Sequence, residues 1–432
     1  MRSRVLMVLA ATIIATATTA AADDQVQDHV KYVAKTQYPV LEEMENRNKE
    51  LQAAAEAKTE EILAEVRAEA AERQEARPEL RFDTSDIEKP AGPAAFKNQA
   101  WHFPPTPQYL TSTCWSFSAT SFMESEIHRL TGREIKLSEM WTAYWEFVNK
   151  VRGFVETRGE SLVPEGSETA ALLRVYREHG VVPRAAYEGV LAEDGRFDHS
   201  IMYPRILEFL DWCRDEGYWD EEFIVATVRQ IMDATMGRPP ESVDWNGAEL
   251  TPEAFLSDVC GIDPGSYVSL MSTLAVPFWT RGEYAVPDNW WHDASYVNVP
   301  LDVWYGVITK TAAAGRSLVI GGDVSEPGLY GPADIAVVPS FDIPGAFINQ
   351  DARELRFYNH TSTDDHGIHL VGMTSIGAHD WFLIKDSNRS SRLGEYEGYY
   401  FYRDDYVRLK MLTITVANDL VEDILKRVDG GE

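Results

Sequence analysis

Cysteine is nearly missing from this chain: three residues in 432, at positions 114, 213 and 260. So sparse and odd a set argues against a small fold stapled by disulfides. Basic residues are also scarce, 40 Lys and Arg against 69 Asp and Glu, which leaves a formal charge of −29. Phosphate binding needs a basic face, so the balance argues against nucleic acid and anionic lipid as partners. Apolar content is not lacking. Hydrophobic residues make up 44% of the chain, with 12 Trp and 19 Tyr. That is enough to bury at least one large core, and the length allows one to three domains.

The first 22 residues read as an address. "MRSR" supplies positive charge, "VLMVLAATIIATATTA" an apolar run, and "AAA" at 20–22 a small-residue cleavage site before "DDQ". The run is short for a stable membrane span, and no cysteine follows the cleavage site to carry a lipid anchor. Residues 1–22 are therefore expected to be an export signal, and the protein periplasmic or secreted. An exported chain meets an oxidising compartment, where Cys213 and Cys260 either bridge or stay two buried thiols. Either way Cys114 is left free.

Residues 23–80 form an N-terminal extension, and 81–432 the main domain. Within the extension, 40–77 is rich in Ala, Glu, Lys and Arg, with Pro39 opening and Pro78 closing it. Leu41, Met44, Leu51, Ala55, Ile62 and Val66 make a narrow, weakly apolar stripe. It suits a coiled-coil seam, a helix laid on the globular body, or a solvated helix; the second is preferred, and a homo-oligomer through this helix is a possible use. Residues 81–108 are Pro-rich and aperiodic, an extended connection. Helical patterns then dominate to about residue 235, one ending at Gly180 before Pro183. After 265 come short β-branched and aromatic runs: "YVSLMST", "SLVIGGDV", "GIHLVGMTSI", "DWFLIKDS", "YYFYRD" and "LKMLTITV". Helices followed by strands predict an α+β fold in two lobes.

In "STCWSFSATSFMESEI", Trp115, Phe117, Ala119, Phe122 and Ile127 form one apolar face if a helix starts near Cys114, with Thr113 or Ser112 as N-cap. A thiol in a first helical turn faces open backbone N–H groups and the positive end of the dipole, which favour the nucleophilic thiolate. On these residues alone, a buried core thiol is the modestly favoured reading.

The same residues resemble the Cys–Trp–x–Phe–Ser helix start of papain-like cysteine peptidases. The branch that fits is the bleomycin hydrolase/aminopeptidase C-like one, in exported bacterial members, with "LSEMW" at 137–141 and a likeness running from about Lys97 to Val416. The resemblance implies a helical lobe plus an antiparallel sheet lobe, a Cys114 nucleophile, and no metal or cofactor. It implies a glutamine six residues before the cysteine, Gln108, whose amide donates to the oxyanion; Gln99, in "FKNQ", competes on local wording but lies too far upstream. His366, counted back from Val371-Gly372, becomes the base. His369, three residues on, points to the opposite strand face. A metal site from Asp364, Asp365, His366 and His369 is disfavoured by the same alternation. The asparagine expected to orient the imidazole is Asp386 here, which can still accept its N–H. The Trp-Gly expected to cover it is Asn388-Arg389.

"VPEGSETAALL" resembles the family's Gly-Gly substrate loop, with Gly166 in one glycine position and Ser167 in the other, where its side chain could narrow the cleft. Trp290 and Trp291 are expected in the core or between lobes. The resemblance thus implies an exported peptidase acting on peptide or protein substrates through Cys114, His366, Asp386 and Gln108. An aminopeptidase is favoured if the C-terminal segment "NDLVEDILKRVDGGE" enters the cleft. Two alternatives are a silent papain-like binding or assembly protein, suggested by Asp386 and Asn388, and a transglutaminase-like acyl transferase, which uses the same Cys–His–Asp chemistry.

Overall fold

The computed structural model describes residues 28–430, apart from 79, 81 and 162. The export signal read at 1–22 lies outside them. The chain divides into two units, residues 1–79 and 80–432. In the first, helix α1 (Pro39–Glu75) opens on the proline that presets its first turn, and its described residues are all solvent-exposed.

In the second unit the helices come first: α2 (Cys114–Thr131), α3 (Glu139–Glu156), α4 (Ala170–His179), α5 (Met202–Asp215) and α6 (Glu221–Met236). A two-stranded ribbon of β1 (Val243–Trp245) and β2 (Ala248–Leu250) follows, then the single turn α7 (Pro252–Ala254). The sheet region holds β3 (Tyr267–Met271), β4 (Thr280–Gly282), β5 (Tyr296–Asn298), α8 (Leu301–Ala313), β6 (Leu318–Gly322), β7 (Leu329–Tyr330) and β8 (Ile335–Ala336). It closes with α9 (Gln350–Tyr358), β9 (His366–Ile376), β10 (His379–Lys385), β11 (Tyr399–Arg403), α10 (Asp404–Lys410), β12 (Met411–Ala417) and α11 (Glu422–Gly430). All six runs read as strands are strands.

Ten strands join in one sheet, ordered β4-β5-β3-β12-β6-β9-β10-β11-β8-β7. Pairing is antiparallel except for β3 with β5 and β8 with β11. There are two main cores. Phe122, Trp141, Tyr144, Phe147 and Tyr176 anchor the helical one, and Trp304, Ile320, Leu370, Ile384 and Tyr402 the sheet one. Each is apolar area withdrawn from water at about 25 cal/mol per Å². No helix among the described residues is long and apolar enough to cross a membrane.

The lobes meet where α2 packs on β9. Gly367 permits that approach: a Cβ there would sit 3.0 Å from Ser118 Oγ and 3.3 Å from the Cα of Trp115. The close fit brings the start of α2 beside the start of β9, and so Cys114 beside His366.

Candidate active site

Helix α2 begins at Cys114, with Thr113 as N-cap. Trp115, Phe117, Ala119, Phe122 and Ile127 are all buried, but so is every other residue from Trp115 to Ile127: the helix is enclosed on all sides instead of burying one apolar face. The cap is unusual. Thr113 Oγ1 pairs with Thr111 Oγ1 at 2.7 Å, and no side chain caps the helix. The half-buried thiol of Cys114 therefore stands at an uncapped helix start, on the wall of a cleft of about 390 Å³.

His366 opens β9 and faces the same cleft. Its Nε2 pairs with Asp386 Oδ1 at 2.8 Å, and Cys114 acts on the ring as a charge and a hydrogen-bond partner. With Nε2 committed to the carboxylate, Nδ1 is the nitrogen left for the thiol. Burial pushes the imidazole pKa down, but the charges of Asp386 and Cys114 and their hydrogen bonds override it and hold the ring well above 6.5. Burial likewise opposes the Asp386 charge, yet His366 and the Asn388 amide hold that carboxyl below 3.8. Oδ1 of Asp386 also accepts from Asn388 N at 2.9 Å. Asn388, standing where the resemblance implies a tryptophan, lines the cleft. Even without an aromatic cover the pair is shielded: the two side chains are 3% and 2% exposed.

Gln108 borders the cleft, held by its own loop. Its Nε2 donates to Thr111 O (2.7 Å), its Oε1 accepts from Ser387 Oγ (2.7 Å), and its amide donates to Ser387 O (3.0 Å). These bonds fix the amide's orientation and leave one Nε2 hydrogen uncommitted. They also tie the cysteine loop to the residue after Asp386. Gln99 points elsewhere, donating to Pro93 O and Phe96 O at 2.6 and 2.9 Å.

The loop at 164–167 forms a further wall. Ser167 does not narrow the cleft through its hydroxyl, because Oγ donates into the helical lobe, to Glu146 Oε1 at 2.7 Å. Two residues that sequence reasoning missed hold this loop. Lys150, buried on α3, donates Nζ to Pro164 O at 2.6 Å and also to Gly166 O. Burial keeps its pKa below the usual lysine value, against the pull of Glu146 and Asp288. Glu165 accepts from Ser112 N through one carboxylate oxygen (3.2 Å) and pairs with His199 Nδ1 through the other (2.6 Å), while its carbonyl takes Trp115 Nε1 at 3.1 Å. The substrate loop and the cysteine turn are thus one hydrogen-bonded unit. Nothing in the sequence signalled Lys150, which stands between Asn149 and Arg152, because the carbonyls it serves are set by the loop's path.

Gly166 has a steric reason to be glycine. A Cβ there would lie 2.5 Å from Asp288 Oδ2, so the carboxylate would have to move. Gly166→Ala is expected to raise KM for peptides about tenfold with a smaller change in kcat, measured by steady-state kinetics. An unchanged KM would mean that this wall does not touch substrate.

Other candidates fall outside the cleft. His369 is buried, its Nδ1 2.8 Å from Ser121 Oγ, and burial with the nearby Lys385 holds it well below 6.5. Cys213 and Cys260 are separate buried thiols of the helical core, not a bridge. Trp290 bonds Glu146 Oε1 at 2.7 Å, and Arg174 lies over both Trp290 and Trp291. Helix α11 borders a groove with Glu126, Arg129 and Leu130, near the end of α2 remote from Cys114, and Asp429 pairs with Arg281. Among the described residues no group of three or more His, Cys, Asp or Glu is placed to hold a metal ion.

No protein-family model matches the chain, and no curated protein does. Solved structures do. PepW from Lactobacillus rhamnosis HN001 superposes with a TM-score of 0.61 at 17% identity, over 78% of this chain and 85% of that one. Digestive procathepsin L 3 of Tenebrio molitor larval midgut aligns over 78% and 73%, at 12% identity and a TM-score of 0.34. The first of these likenesses, with the two cores and the sheet order, establishes the architecture: the chain has the two-lobed α+β fold of papain-like proteins.

Proposed function

We propose that this protein is a cysteine peptidase that hydrolyses peptide bonds through Cys114, His366 and Asp386. The observation that carries the reading is one chain of contacts that runs from a half-buried thiol at a helix start to a buried imidazole–carboxylate pair. The Cys114 thiol meets His366, whose far nitrogen pairs with Asp386 at 2.8 Å, inside a cleft. In this mechanism the Cys114 thiolate attacks the peptide carbonyl carbon, and a C–S bond forms as the carbonyl electrons move to oxygen. That oxyanion takes the Cys114 N–H and the free Nε2 hydrogen of Gln108, at about 3 kcal/mol per donor. As the C–N bond breaks, imidazolium His366 protonates the leaving amine. Water then attacks the thioester with His366 as base, releasing the acid and restoring the thiol. Asp386 accepts from Nε2 throughout, which keeps Nδ1 aimed at sulfur and stabilises the charged ring.

The test is hydrolysis of a peptide library with free and N-blocked members, with Cys114→Ala as control. Cleavage by the wild-type chain and none by the variant is expected. Products released only from free N-termini identify an aminopeptidase, and internal cuts an endopeptidase. No cleavage of either set, with Cys114 inert to a thiol-reactive epoxide, would sink the reading and leave a silent binding protein. Residues 1–22 support placing the activity outside the cytoplasm. N-terminal sequencing of the secreted or periplasmic product is expected to begin near Asp23.

A further inference from the structure

One wall of the cleft is acidic out of proportion to the rest. Glu168, Asp288, Asp364 and Asp365 all line it, and no lysine or arginine does. The nearest ammonium, Lys150, is occupied with the carbonyls of Pro164 and Gly166. Asp365 is partnered, accepting from Val324 N at 2.9 Å. Asp288 lies against the Gly166 backbone, and Asp364 Oδ1 stands where a Cβ on Gly321 would be 3.4 Å away.

Glu168 is the odd member. It is 3% exposed, yet only its Oε2 has a donor, the Tyr296 hydroxyl at 3.3 Å; Oε1 has none among the described residues. Its neighbour is the carboxyl of Asp364. Burial first, then Asp364 and Asp288, hold Glu168 well above 4.5, and burial with the neighbouring carboxylates pushes Asp364 up to about 6. A buried carboxyl with one oxygen lacking a donor, beside two more carboxyls, is a place that a cation would relieve.

We propose that Glu168, Asp364 and Asp288 form a cation subsite of the cleft, which takes a positively charged group of the peptide substrate: its α-ammonium, or a lysine or arginine side chain. This rests on the peptidase reading for its ligand. Asp364 is two residues before His366, and Glu168 two after Gly166. All three carboxyls line the same cleft as Cys114 and His366. An ammonium bound there gives Glu168 Oε1 the donor it lacks.

The experiment is calorimetric binding to the Cys114→Ala protein, so its outcome does not depend on turnover. Four tripeptides are compared: one with a free N-terminus and a lysine, its Nα-acetyl form, its norleucine form, and the doubly neutral form. A loss of about 30-fold or more on removing one of the two charges is expected. If acetylation causes it, the α-ammonium is the ligand; if norleucine does, the side chain is. Glu168→Gln and Asp364→Asn, each checked for a native melt, should shrink that ratio at least fivefold. Equal affinity for all four peptides overturns the subsite while leaving the peptidase reading to its own cleavage test. An unaltered ratio in both folded variants overturns the assignment to these residues.

Discussion

His366→Ala is expected to lower kcat/KM for peptide hydrolysis by about 10⁴-fold, and to slow alkylation of Cys114 by iodoacetamide at neutral pH to the rate of an ordinary thiol. The imidazole has two duties, taking the thiol proton and delivering one to the leaving amine, and no other described base faces the thiol. His369 cannot substitute, because Ser121 on α2 holds it in the core behind the cleft. Stability must be separated from chemistry. Removing the ring leaves the Asp386 carboxylate buried with only the Asn388 amide on Oδ1, a loss of about 3–5 kcal/mol for a broken buried pair. His366→Gln restores a donor towards Asp386 without a base. It should melt closer to wild type and be as inactive as the alanine variant. Alkylation of either variant at the wild-type rate would show that Cys114 and His366 do not work together.

The second large effect concerns Asp386. Asp386→Ala removes the acceptor from His366 Nε2, freeing the ring to turn and to take the wrong tautomer; a fall of about 10³-fold in kcat is expected, with little change in KM. Asp386→Asn keeps an oxygen acceptor and should retain much of the activity. The two substitutions also part in their pH behaviour. The folded carboxyl is held below 3.8, so its stabilisation is complete above that value and is lost as pH falls through the folded pKa. The folded imidazole is held well above 6.5, so its stabilisation is complete below 6.5 and is lost only as pH rises through that higher value. Between about pH 4 and 6.5 both charges are therefore in place. The Tm gap between wild type and Asp386→Asn should be widest there and close on either side. A gap independent of pH would mean the pair is not ionic.

Much of this site was legible from short stretches. A Cys-Trp at the start of a helix is a local pattern. The placement of His366 at a strand start was equally local, and alternation along β9 separated it from His369. Asp386 was legible only as a departure. The surrounding chain buries the imidazole–carboxylate pair almost completely with Asn388 beside it. Lys150, Glu165 and the acidic wall were not legible at all. Glu168, Asp288 and Asp364 come from three widely separated segments, and nothing in their neighbours along the chain announces a meeting.

The order of helices and strands and the six sheet runs are consequences of sequence alone, since side-chain periodicity and turn chemistry act over a few residues. The state of the charges belongs to the tertiary structure. Whether Asp386 is ionised, Lys150 is satisfied by carbonyls, or Glu168 Oε1 is left without a donor depends on desolvation and on distances through space, which chain spacing does not encode.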